Sequence, residues 1–154
     1  MSPEFVRARP SQELEKALRS MMTSRVFPKG TVLYRQGMAA TGLYLLEKGL
    51  VRVSLSTVGD QNQLVEVAGP GALLGLSDSL TGGRYRVTVE AEEPTTAGFL
   101  ERALLLSFLG SHQEFCMQVV RLLSDNLHVL YHKFRNVSSH PGRPRRRLLN
   151  EQMS

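Results

Sequence analysis

The chain has a single cysteine, no tryptophan and only 6% aromatic residues. With Cys116 alone, no intrachain disulfide and no cysteine-held metal or iron–sulfur cluster can form within it, which suits a reducing, cytoplasmic setting. No run of roughly 18 apolar residues offers a membrane span, and no apolar block of signal-peptide length follows the arginines of MSPEFVRARP. Membrane partners and export are therefore not expected. Signatures of catalysis are missing too: there is no nucleophile elbow, P-loop, HExxH or dinucleotide fingerprint. No catalytic residue and no metal ligand is expected, so the chain reads as a binding protein and not an enzyme.

What is present is enough for one core: 154 residues, 42% of them hydrophobic. The formal charge of +5 is unevenly placed, because PGRPRRRLLNEQMS at the end carries four Arg and one Glu, +3, and leaves +2 on the body. Such a basic end can touch nucleic acid or anionic lipid by charge alone, without reading sequence. A short Pro/Gly/Arg-rich end is more simply a solvated tail, assigned here to 138–154.

From Ser11 to Met22 a serine cap and apolar residues at Leu14, Ala17, Leu18, Met21 and Met22 predict a short amphipathic helix. Short apolar or alternating runs follow at 31–35, 42–49, 50–56, 62–68, 86–91 and 95–100, punctuated by KG, RQG, EKG, VGDQN, AGPG, TGG and EEP. At this size, such strands bury their faces by closing into a barrel or sandwich. Beyond Glu101, a helical turn or two ends at Gly110, and 111–139 predicts about seven turns of helix opened by a Ser111/Glu114 capping box.

On that helix Cys116, Val120, Leu123, Leu127, Leu130, Phe134 and Val137 recur at alternating spacings of four and three, a heptad seam. The seam faces either the chain's own β domain or a twin helix. Apolar Val119, Leu122, Val129 and Tyr131 lie off it, so one face is expected on the β domain and the seam in a homodimer. Asp125, His128 and His132 share another face, for which a solvated polar surface is a simpler explanation than zinc or haem. All four histidines follow the β region, which argues against a cupin-type enzyme.

The order of a short helix, F-PKG-T-LY-RQG, GLYLLEKGLVRVSLS, GPGALLG, RVTVEA and a long helix resembles the cyclic-nucleotide-binding sensor domain of the Crp/Fnr family of bacterial transcription regulators. The resemblance covers about Ser11 to Val137 and rests on Gly30, Gly37, Gly49, Gly71 and Gly75, which fall where the family turns its eight-stranded roll. It implies a mainly β fold with flanking helices: a β-roll of double-stranded β-helix (jelly-roll) type, with a short N-terminal and a long dimerising C-terminal helix, over 11–137. Only HPGRPRRRLLNEQMS follows Ser139, too little for a helix-turn-helix reader. DNA contact is thus expected only through a domain outside this chain, which is either truncated or a stand-alone sensor.

In the family's nucleotide-binding members, Gly-Glu opens a short helix and an Arg followed by a small residue comes nine or ten residues later. The helix N-terminus and the arginine hold the phosphate, and the glutamate holds the ribose. Gly75 fits; Leu76 stands in the glutamate position and cannot accept a hydrogen bond. That leaves a buried hydroxyl unpartnered at a cost of about 1–3 kcal/mol, roughly ten- to a hundredfold in affinity. Counting back along the strand puts Tyr85 in the arginine slot and Arg86 in the small-residue slot; counting forward from Gly75 reaches Arg86.

Gly75, Leu76, Ser77, Arg84, Tyr85, Arg86 and Thr88 are therefore the expected ligand-binding set. The effector is a cyclic nucleotide or another small anion, and Leu73, Leu74 and Leu76 suit one with an apolar body. The alternative is a dimerisation scaffold without ligand, its pocket filled by its own side chains.

Overall fold

A computed structural model of the chain describes the backbone of residues 9–138, and their side chains except at 60–62 and 126–138. Ser11, in extended conformation, accepts the N–H of Leu14 at 3.1 Å and so starts α1 (Gln12–Arg19). The helix stops three residues short of Met22, because the N–H groups of Met21 and Met22 turn back to the carbonyls of Leu18 and Arg19, tightening its end.

Eight strands follow: β1 (Thr23–Phe27), β2 (Val32–Tyr34), β3 (Gly42–Lys48), β4 (Val51–Thr57), β5 (Asp60–Ala68), β6 (Leu73–Leu74), β7 (Thr88–Ala91) and β8 (Thr95–Glu101). A short helix, α2 (Leu76–Thr81), lies between β6 and β7; α3 (Arg102–Ser111) and α4 (Gln113–Ser138) come last. The strands form two antiparallel four-stranded sheets, ordered β1-β8-β3-β6 and β2-β7-β4-β5, and the chain passes repeatedly from one to the other. This is the jelly-roll-like β-roll with flanking helices that the sequence led us to expect.

The run Leu43-Tyr44-Leu45-Leu46 in β3 shows why parts of the sequence do not alternate. Tyr44 and Leu46 face the space between the sheets, with Tyr34, Val51, Val53, Leu74 and Val89. Leu43 and Leu45 face the other way, onto a layer formed by Leu14, Leu18, Leu105, Leu109, Val119 and Leu122 from the helices. A strand buried on both faces is apolar throughout. The glycines at 30, 37, 49, 71 and 75 all hold positive φ, between 82° and 97°. At Gly49 a side chain would also meet the Pro94 carbonyl at 2.5 Å, so only glycine closes that turn.

The helical end differs from expectation at two points. Gly110 does not end α3, which continues through it to Ser111; and Ser111 does not cap α4, because its hydroxyl donates to the Ser107 carbonyl at 3.1 Å. A serine bonding back one turn stays within the first helix, and the break falls at His112, whose φ of −131° leaves helical space.

Along α4, Val119 and Leu122 are buried against the β domain, and Gln118 meets Ser11 through its side chain at 2.7 Å. Of the seam residues, Cys116 and Leu123 are half-buried and Val120 is 51% exposed. Leu127, Leu130, Phe134 and Val137 are helical in backbone, but their side chains lie outside the described residues, as do those of His128 and His132. Residues 139–154 of the expected tail also lie outside them.

Candidate effector site

β6 passes into α2 through Gly75. Gly75 precedes this helix with φ +82°, a conformation L side chains rarely adopt, and a Cβ there would stand 3.1 Å from the ring of Tyr85 and 3.3 Å from the Gly42 carbonyl. The backbone of α2 thus closes down directly on Tyr85. That residue is held by the turn before β3: its N–H donates to the Met38 carbonyl at 2.8 Å, and its carbonyl accepts from Gly37 at 2.9 Å. Ala39 bridges to Arg84 alongside. The strand expected from residue 86 begins only at Thr88, after a bend at 86–87, yet the side chains at 84–86 still divide, with both arginines exposed. Tyr85 is the inward one, at 3% exposure.

Inside, its ring stacks on Tyr34, centroid to centroid 3.9 Å and 18° from parallel. Its hydroxyl donates to the Gly42 carbonyl at 2.5 Å and accepts from the Gly42 N–H at 3.2 Å. Both polar groups of Gly42 at this buried position are thereby satisfied by one phenol. The aromatic column continues through Tyr44, 6.0 Å from Tyr34, to Phe27 and Phe99, 5.8 and 5.0 Å from Tyr44. Arg25 closes it, its guanidinium 3.9 Å from the Phe99 centroid and 3.1 Å from the Tyr44 hydroxyl.

Burial pushes the Tyr44 phenol above its usual 10.0, against the opposing pull of Arg25. A phenol raised on folding is stabilising below pH 10, where both states keep the proton. That stability is lost as pH climbs, because the unfolded chain releases its proton first. The unfolding midpoint is expected to fall as pH rises past about 10, and Tyr44→Phe to flatten that fall, which denaturation series at several pH values would register.

Neither arginine enters this interior. Arg84 is exposed and donates to the Gly37 carbonyl at 2.7 Å. The Arg86 side chain is 74% exposed and stands 3.4 Å from Asp78, whose carboxylate also accepts the Arg86 N–H at 3.3 Å. Leu76 is buried, but among the leucines of the helical layer and not between the sheets. Ser77 is exposed, and the half-buried Thr88 accepts the N–H of Gln36 at 3.0 Å. Of the seven expected ligand-binding residues, the structure brings Tyr85 and Gly75 together and sends Arg84, Arg86, Leu76 and Ser77 elsewhere. Tyr34, Tyr44, Gly42 and Arg25, which sequence reading did not select, complete the interior. The Ser79 hydroxyl is buried without a hydrogen-bond partner among the described residues, while its carbonyl accepts from Arg102 at 2.7 Å.

The profile of one family, the cyclic nucleotide-binding domain, matches residues 24–112, more than half of the chain and nearly the whole roll. The chain belongs to that family. Its cyclic nucleotide-binding domain is of the kind found in Crp/Fnr-type regulators. It is 33% identical over 94 residues to the cyclic AMP receptor protein of Thermus thermophilus, covering 61% of this chain and 43% of that protein. With the anaerobic regulatory protein of Bacillus subtilis it shares 24% over 143 residues, 88% of this chain and 60% of the relative. The chain thus spans about half the length of these two relatives. The crystal structure of the Thermus thermophilus catabolite activator protein superposes with a TM-score of 0.74 at 25% identity, over 83% of this chain and 60% of that one. Among the described residues, no helix of this domain is long and apolar enough to cross a membrane.

Proposed function

We propose that this domain is the dimerising regulatory module of a Crp/Fnr-like transcription regulator, and that it works without a bound cyclic nucleotide because Tyr85 fills its interior. One observation carries this reading: the buried Tyr85 ring stacks on Tyr34 and takes both hydrogen bonds of Gly42. A cyclic nucleotide brings a phosphate that needs a cation, and the two nearby arginines spend their charge outside, on Gly37 and Asp78. Leu76 offers no acceptor for a ribose hydroxyl and is committed to the helical layer. The small anionic effector expected from the loop alone has less support than the alternative of a filled pocket.

Regulation then passes through α4. Val119 and Leu122 fix this helix to the roll, while Met117 and Val120 stand 46% and 51% exposed on its outer side, where a second copy would cover them. DNA would be read by residues outside the roll, as in the regulators this chain resembles.

Two measurements test the reading. Titration calorimetry with cAMP and cGMP is expected to give no binding heat up to millimolar ligand; a saturable isotherm would restore nucleotide sensing. Sedimentation is expected to show a dimer that Val120→Asp converts to monomer, since an aspartate buried without a partner in a helix pair is costly. A monomeric wild type, or a dimeric Val120→Asp, would remove the dimer from the proposal.

A further inference from the structure

Tyr85 does more than occupy volume. Its phenol has the relation to its surroundings that a bound ligand has: one face on an aromatic platform, Tyr34; one edge against Gly75, where there is no side chain; and its single polar atom in a donor–acceptor pair with the Gly42 N–H and carbonyl. The chain carrying it, residues 83–85, is fastened separately, by backbone bonds of Ala40 to Gly83 and of Tyr85 to Met38 and Gly37. The ring is therefore a guest on a tether, and removing it leaves the backbone bonds of the tether in place.

We infer that the cradle of Tyr34, Gly42 and Gly75 is a binding site for a neutral hydroxyaryl group, filled in cis by Tyr85, and that a free para-alkylphenol takes the site when the tyrosine ring is removed. This inference rests on the filled-pocket reading and adds the chemical class of the occupant. A neutral phenol suits the site because Arg84 and Arg86 both lie outside it, so a carboxylate or phosphate would enter uncompensated. Its hydroxyl must both donate and accept, which a phenol does and a plain arene does not. In the wild type the tethered ring competes at the high effective concentration of an intramolecular group, so added phenol is excluded.

The test uses Tyr85→Gly and p-cresol. The variant is expected to melt below the wild type and to be restored by millimolar p-cresol, with toluene binding about tenfold or more weakly for want of the hydroxyl and cAMP not at all. The wild type should show no shift with p-cresol. Equal stabilisation by toluene would reduce the site to an apolar cavity, and no response to either compound would overturn the inference.

If Tyr85→Gly does not fold, Tyr85→Phe keeps the ring and removes only the hydroxyl. Hydrogen exchange of the Gly42 amide is then expected to quicken roughly tenfold or more relative to the wild type. An unchanged Gly42 amide would contradict recognition through the hydroxyl. Nucleotide binding by the wild type would defeat the proposed function, whereas failure of p-cresol in a folded Tyr85→Gly defeats only this inference.

Discussion

Replacing Tyr85 by alanine is expected to destabilise the domain by about 3–5 kcal/mol, the usual cost of emptying a large aromatic site in a packed core. Two effects add. The stacked contact with Tyr34 is lost, and because the sheets cannot close over a ring-sized hole, the neighbours relax only in part. The Gly42 N–H and carbonyl also lose the phenol that pairs them, and each buried unpaired group carries its own penalty. Urea denaturation should show a lower midpoint with an unchanged slope, meaning a loss of stability without a change in the surface exposed. A change below about 1 kcal/mol would mean that the ring is not packed as described.

The second large effect is expected at the other layer. Leu105 of α3 is completely buried among Leu14, Leu18, Leu43, Leu45, Leu109 and Val119, where α1, α3, α4 and the outer face of β3 meet. Leu105→Ala should cost about 2–5 kcal/mol. Its consequence reaches beyond stability, since Val119 and Leu122 seat α4 on the same cluster. If α4 pairs as proposed, loosening that seat should lower the sedimentation coefficient of the proposed dimer or raise its dissociation constant, with the seam side chains themselves unaltered. A full loss of stability with dimerisation unimpaired would separate α4's pairing from its contact with the roll.

The roll was legible because its signals are local. Turn glycines at 30, 37, 49, 71 and 75 stand where the backbone turns with positive φ, and Ser11 caps the first helix as its residue type suggests. The strands missed were those with no such signal. β1, TSRVF, lies at a sheet edge with four exposed residues, and β6 is two residues long. Ser111 misled because a serine can bond back into the preceding turn as readily as it caps the next helix, and only the tertiary path of the chain decides between the two.

The site was harder to read. β7 begins only at Thr88, after a bend at 86–87, and the alternation expected along 84–86, which sets Tyr85 opposite both arginines, does not say which side faces inward. That choice is fixed by long-range contacts, the Met38–Tyr85 and Ala40–Gly83 bonds, which no spacing in the sequence reveals. The partners of Tyr85 come from β2 and β3, forty or more residues away, and Gly42 carries no side chain to mark it. Leu76 was expected in the ligand-binding set because it follows Gly75 in the position of the family's glutamate, yet a helix of six residues turns its first side chain onto the helical layer.

Nuclear Overhauser contacts from the Tyr85 ring, in tyrosine-labelled wild-type protein with and without millimolar cAMP, test the filled interior most directly. Contacts to the Tyr34 ring and the Gly42 amide are expected, and the same contacts should persist at every nucleotide concentration. Their absence in the free protein, or their disappearance as cAMP is added, would contradict an interior occupied by the chain's own tyrosine.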